Sequence, residues 1–107
     1  MDTFSEIAYK HLKKLRLWKI RAEDEGVRSI CNYIDKAQTL EYLDLLDNDI
    51  SPLGCEFLGK SMALGPPILK LKLDHNSFGT EGLKNLAQGL SKNNILEKLS
   101  LKYCKID

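Results

Sequence analysis

Eleven residues, LEYLDLLDNDI from Leu40 to Ile50, constrain this chain more than any other feature. Leucines at 40, 43 and 45, then Asn48 and Ile50, fit neither the 3.6-residue period of an amphipathic helix nor the strict alternation of a strand. The stretch recurs along the chain, which is the signature of a repeat architecture. Adding 28 gives Ile68, Leu71, Leu73, Asn76 and Phe78, and adding 28 again gives Leu96, Leu99, Leu101, Cys104 and Ile106. Subtracting 28 gives Leu12, Leu15, Leu17, Ile20 and Ala22. The register continues between these stretches: Gly26, Gly54 and Gly82 keep it, as do Ile30, Leu58 and Leu86, and then Ile34, Met62 and Leu90.

The pattern has a direct physical reading. Two leucines two apart on a short strand point to the same side, and the residues between them point to the other. The leucine three residues earlier enters the same core through a bend. The chain must then turn sharply, and Asn48 or Asn76 can hydrogen-bond turn backbone that would otherwise be buried unpaired. Cys104 does the same more weakly, and the first repeat carries Ile20 in this column, as if its turn were less demanding or partly covered by the N-terminal segment. Ile50, Phe78 and Ile106 re-enter the core, and GVRSICNYI, GCEFLGKSMAL and GLKNLAQGL carry apolar residues at helical spacing on the return leg. Start signals precede each: Asp24, Ser51-Pro52 and Thr80-Glu81. Pro66-Pro67 keeps the second helix out of the third strand.

With LxxLxLxxN, the following xIxxxG and an apolar helix all repeating at 28 residues, the sequence resembles the leucine-rich repeat superfamily, in its ribonuclease-inhibitor-type form. The resemblance runs from Leu12 to Asp107. It implies an α/β fold, a right-handed solenoid with parallel strands on the concave face and helices on the convex face. Residues 1–11 break the register. Thr3 and Glu6 form a capping box, and Phe4, Ile7, Ala8 and His11 share one helical face, so an N-terminal capping helix is expected there. Residues 12–107 then make about four repeats, the last truncated after its strand. The open edge behind Leu96, Leu99 and Leu101 is a liability, which leads to the expectation of a longer array or of self-association through that edge.

Composition narrows function by exclusion. At 43% hydrophobic and 29% charged, the 107 residues suit one globular domain, and no run of about 18 apolar residues could span a membrane. The N-terminus lacks the basic-then-apolar order of a secretory signal, so a cytoplasmic location is expected. A net charge of +1 argues against wholesale nucleic-acid binding. The three cysteines form neither a disulfide framework nor a zinc motif. Cys55 shares a column with Val27 and Leu83, and Cys31 shares one with Gly59 and Ala87, where the helix is expected to approach the strand layer. Both read as packed thiols. The acidic run Glu23-Asp24-Glu25 reads as a helix cap and dipole partner, and no glycine-rich phosphate loop is present. No catalytic residue, metal or cofactor is expected, and no enzyme activity.

The outward columns of the strands remain. The position before the second leucine carries Lys14, Tyr42, Lys70 and Lys98, and the position between the leucines carries Arg16, Asp44, Lys72 and Ser100. The next outward column holds Trp18, Leu46, Asp74 and Lys102, and the flanking one Lys19, Asp47, His75 and Tyr103. Seven basic residues face three acidic ones, so the rest of a chain at +1 must be net acidic. Trp18, Tyr42, Leu46 and Tyr103 are the residue types that anchor protein interfaces. The expected partner-binding set is therefore Lys14, Arg16, Trp18, Tyr42, Asp44, Leu46, Lys70, Lys72, Asp74, Lys98, Lys102 and Tyr103. The expected role is a protein-interaction scaffold for an acidic or mixed protein surface. The resemblance offers an alternative, a regulator of a small GTPase or a sensing fragment of a larger repeat protein. Single-stranded nucleic acid is disfavoured because Asp44, Asp47 and Asp74 interrupt the basic stripe.

Overall fold

Leucine columns 28 residues apart become strand partners in space. A computed structural model describes residues 11–106, with β1 (Lys14–Arg16), α1 (Glu23–Ala37), β2 (Tyr42–Asp44), α2 (Pro52–Ala63), β3 (Lys70–Lys72), α3 (Gly79–Leu90) and β4 (Lys98–Ser100). The four strands form one parallel sheet in chain order. Leu15, Leu43, Leu71 and Leu99 stand abreast, as do Lys14, Tyr42, Lys70 and Lys98. Although each strand is only three residues long, the ladder runs on into the turns, where Leu17 N donates to Asp44 O (2.9 Å), Leu45 N to Lys72 O (2.9 Å) and Leu73 N to Ser100 O (2.9 Å). This is an α/β solenoid. The capping helix expected over residues 1–11 lies, apart from His11, outside the described residues.

The core fills the space between sheet and helices. Leu40, Leu43, Leu45 and Ile50 of the second repeat and Ile68, Leu71, Leu73 and Phe78 of the third meet Val27, Ile30, Ile34, Cys55, Leu58, Met62 and Leu86 from the helices. Full burial of one such side chain contributes roughly 2 kcal/mol. The outer repeats are less enclosed, with Leu12, Leu15, Leu17, Leu96 and Leu101 only partly buried. No helix among the described residues is long and apolar enough to cross a membrane.

The asparagine column works between repeats. Asn76, fully buried, donates from Nδ2 to Leu45 O (2.9 Å), Leu73 O (3.0 Å) and Asp74 O (3.3 Å), while its Oδ1 accepts from Asn48 N (2.8 Å) and Ile50 N (3.2 Å). Asn48 serves the repeat before it in the same way, accepting from Ile20 N (3.0 Å) and Ala22 N (3.3 Å) and donating to Leu17 O. Each turn is thus closed by the side chain of the next repeat. Cys104 keeps part of this role, its thiol donating to Leu73 O (3.1 Å). The Ile20 side chain has no part in it, and Ile20 is 55% exposed.

The helix starts differ from expectation at two of three places. Ser51 does cap α2, its hydroxyl accepting from Leu53 N (3.3 Å) with Pro52 in the first turn. Asp24, by contrast, already lies inside α1, whose N-cap Ala22 makes no side-chain capping bond. Its carboxylate crosses to the next repeat and accepts from Ser51 N (3.0 Å) and from the Ser51 hydroxyl. Thr80 and Glu81 likewise belong to the first turn of α3, which starts at Gly79, a residue with φ +66° that a side chain would strain. The end of α2 owes as much to Gly65, at φ +73°, as to Pro66 and Pro67 behind it.

The small-residue column also needs correction, because it faces the neighbouring helix and not the strand layer. A β-carbon on Gly59 would lie 2.8 Å from Asn85 O, and one on Gly89 would lie 1.8 Å from Gly59 O. α2 and α3 are therefore in backbone contact. Ala87, in the same column at the end of the array, is exposed.

Candidate protein-interaction face

The outward side chains of the strands follow from the period of two. Once Leu15, Leu43, Leu71 and Leu99 turn toward the core, their neighbours must face the other way. Tyr42 is the single aromatic residue in a column of lysines, and the cations gather on it. Lys14 Nζ lies 5.8 Å from the ring centroid, the Arg16 guanidinium 5.1 Å and Lys70 Nζ 5.5 Å. Such contacts are worth about 0.5–1 kcal/mol each at exposed sites, and here they tie cations of β1 and β3 to the β2 ring.

Two members of the expected partner-binding set are placed otherwise. Asp44 is 2% exposed and Asp74 is 8% exposed, so neither presents its carboxylate freely to a partner. The cause is local hydrogen bonding. Asp44 Oδ1 accepts from Leu46 N (3.2 Å), and Asp74 Oδ1 accepts from the Ser100 hydroxyl (2.7 Å) and Lys102 N (2.9 Å) of the next strand. Burial pushes the Asp74 carboxyl upward, but these hydrogen bonds and the charges of Lys72 and Lys102 outweigh it and hold its pKa below the ordinary value. Both aspartates act as internal ties between or within repeats.

The other expected residues remain accessible. Lys14, Arg16, Lys98 and Lys102 are exposed, while Tyr42, Leu46, Lys70 and Lys72 are half-buried. Trp18 is 50% exposed and Tyr103 75% exposed, at the rim where the chain leaves the sheet. Sequence reasoning placed His75 on a flank without assigning it a role. Its ring stacks on Tyr103 with centroids 4.7 Å apart and planes 26° from parallel. Lys19, Asp47, His75 and Tyr103 all adopt left-handed backbone, with φ of 55°, 53°, 61° and 58°. Their common column position ahead of Asn48, Asn76 and Cys104 was the available signal for that conformation.

The thiols sit in the interior. Burial pushes Cys55 up to about 12, with the Cys104 and Asp24 charges adding to the effect, and burial also raises Cys31 and Cys104. All three are protonated near neutral pH and so are poor nucleophiles and ligands. No cluster of three or more His, Cys, Asp or Glu side chains forms a metal-binding group among the described residues.

This geometry agrees with what the chain is similar to. A family model described as leucine-rich repeat matches residues 36–59 and 66–87. Leucine-rich repeat-containing protein 45 of Gallus gallus is 31% identical over 99 residues, covering 91% of this chain and 15% of that protein. The NACHT, LRR and PYD domains-containing protein 5 of Mus musculus is 31% identical over 102 residues, 94% of this chain and 9% of that protein. The ribonuclease inhibitor of Mus musculus is 27% identical over 101 residues, 92% of this chain and 22% of that protein. The chain spans less than a quarter of the length of these relatives. Repeat spacing, strand register and the matches together place the chain in the leucine-rich repeat superfamily, to which it belongs.

Proposed function

We propose that this chain is a cytoplasmic protein-interaction scaffold whose concave sheet face receives an acidic or mixed protein surface. Leucine-rich repeats generally mediate protein interactions and are typically non-enzymatic, and the fold leaves the partner open. The observation that carries the reading is the state of the face itself. Its lysines and Arg16 share it with the accessible aromatic and aliphatic anchors Trp18, Tyr42, Leu46 and Tyr103, while Asp44 and Asp74 are turned to internal hydrogen bonds. Cations would steer an acidic partner and mostly raise its association rate, and the aromatics would supply most of the lasting affinity. No residue-level observation favours regulation of a small GTPase or binding of nucleic acid.

The test is a pull-down from cell extract with the wild-type chain beside a Trp18→Ala, Arg16→Glu, Lys72→Glu variant of unchanged circular dichroism and melting temperature. A partner retained by the wild type and lost by the variant is the expected result. Identical partners for both proteins would move the binding surface off the sheet.

A further inference from the structure

The two halves of the face differ in how their positive charge is balanced. Over β1 and β2, Lys14, Arg16 and Lys70 share the Tyr42 ring. Of the β3 and β4 lysines, Lys70 reaches that ring, whereas Lys72, Lys98 and Lys102 lie over no aromatic ring among the described residues. Lys70 and Lys98 stand directly abreast in the parallel ladder, as do Lys72 and Ser100, and adjacent strands lie only about 4.8 Å apart. Like charges side by side in a sheet are destabilising. Yet none of Lys70, Lys72, Lys98 and Lys102 forms an ion pair among the described residues, where the salt bridges join Lys13 to Glu41, Arg28 to Glu25 and Lys60 to Glu56.

These four lysines line one concavity of about 480 Å³ together with Glu97, Leu99 and Ser100. The buried Asp74 carboxylate adjoins this lining, accepting hydrogen bonds from the Ser100 hydroxyl and Lys102 N. Setting Asp74 and Glu97 against the four lysines leaves a surplus of two positive charges. A fold that keeps an uncompensated like-charge cluster in one groove breaks a local rule, and such breaks are expected where a ligand restores the balance.

Resting on the acidic-partner reading above, we propose that the β3–β4 groove is a subsite for a phosphorylated side chain on a partner protein segment, with the neighbouring Tyr42 and Leu46 taking apolar side chains of the same segment. A phosphate monoester carries about −1.5 to −2 charges at pH 7 and three strong acceptor oxygens, which matches the surplus of two and the ammonium donors of the lining lysines. A single carboxylate would leave half of that surplus in place. The groove's cations are all lysines, which bind phosphoryl groups as point charges. The patch spans two three-residue strands, too short to follow a nucleic-acid backbone, and its aromatic neighbour lies on the adjoining strand where a peptide would continue.

The experiment titrates the isotope-labelled chain, followed by NMR, with two peptides of Gly, Leu and Tyr that differ only in a central phosphoserine or glutamate. The expected result is saturable shifts at the amides of Lys72, Lys98, Ser100 and Lys102, with the phosphopeptide binding about tenfold or more tightly than its glutamate twin. Lys98→Glu and Lys102→Glu, each with an unchanged melting temperature, should remove that preference. Equal affinity for the two peptides would overturn the phosphoryl subsite and leave the acidic-partner reading standing. Absence of shifts from both peptides at these amides would overturn the subsite as well, while the pull-down decides the broader reading separately. Anionic vesicles or a single-stranded oligonucleotide binding these amides more tightly than the phosphopeptide would overturn the assignment to a protein ligand.

Discussion

The interior and the ends of this array solve the same problem with different residues. In the second and third repeats a fully buried asparagine closes the preceding turn through both its oxygen and its nitrogen. In the fourth repeat Cys104 offers one thiol donor, and in the first Ile20 offers nothing and lies in solvent. The leucines follow suit: Leu43 and Leu71 are fully buried, whereas Leu99 is 37% exposed. A repeat column thus fixes a position, and its neighbours fix what the position is worth. In a nearest-neighbour architecture the same substitution should cost different amounts in the middle and at the end.

Asn76→Ala should break the comparison most sharply. It would strand Asn48 N and Ile50 N without an acceptor and Leu45 O without a donor, all inside the core. We expect a loss of about 3–5 kcal/mol in urea or thermal unfolding, since each orphaned buried group costs roughly 1–3 kcal/mol. Cys104→Ala, which removes one weak donor, should cost about 1 kcal/mol. Equal costs would show that the asparagine serves only its own turn. Cys104→Asn sharpens the test, because the amide could then accept from Asn76 N as Asn76 does from Asn48 N, and a gain of about 0.5–1 kcal/mol is expected.

A smaller effect separates the leucines. Leu71→Ala at a site with no exposure should cost about 3 kcal/mol, within the usual range for buried leucines, and Leu99→Ala about 1 kcal/mol. If both cost about 3 kcal/mol, the outer edge of β4 is covered in solution, and light scattering should then report an assembly larger than one chain.

Much of this contrast could be read in the sequence because it rests on spacing. The 28-residue register assigned every strand partner and every core column from Leu40 to Phe78 without reference to coordinates. What escaped was chemistry between repeats. Nothing local in Glu23-Asp24-Glu25 says that Asp24 would reach Ser51 in the next repeat, since a carboxylate ahead of an apolar helical run looks like that helix's own cap. Asp44 and Asp74 alternate outward by the period of two, yet their side chains fold back onto backbone amides and a hydroxyl of the sheet. Gly59 appeared as a small residue facing the strands because column alignment gives no direction, whereas its backbone in fact meets Gly89. Short polar side chains and glycines are governed by what lies within a few ångströms, and a repeat pattern does not contain that distance.

The subtlest consequence is alkaline. Cys55 is held up to about 12 by burial, against an ordinary value of 9.0. Because the folded value lies above the unfolded one, its contribution is fully present below about pH 9 and is lost as the pH rises toward 12, where the unfolded chain gains from an ionised thiol that the fold resists. Asp74 has the opposite sign: its folded pKa is lowered, so its contribution is present above the unfolded carboxylate range near 4 and is lost as the pH falls through the folded value. Lysines and tyrosines also titrate at high pH, so the isolating measurement is a difference between proteins. Cys55→Ala should lower stability overall by leaving a small cavity, yet its unfolding free energy should fall less steeply between pH 9 and pH 11 than that of the wild type. Parallel slopes would mean that Cys55 reaches solvent, and that the interior of the second repeat is as open as the ends.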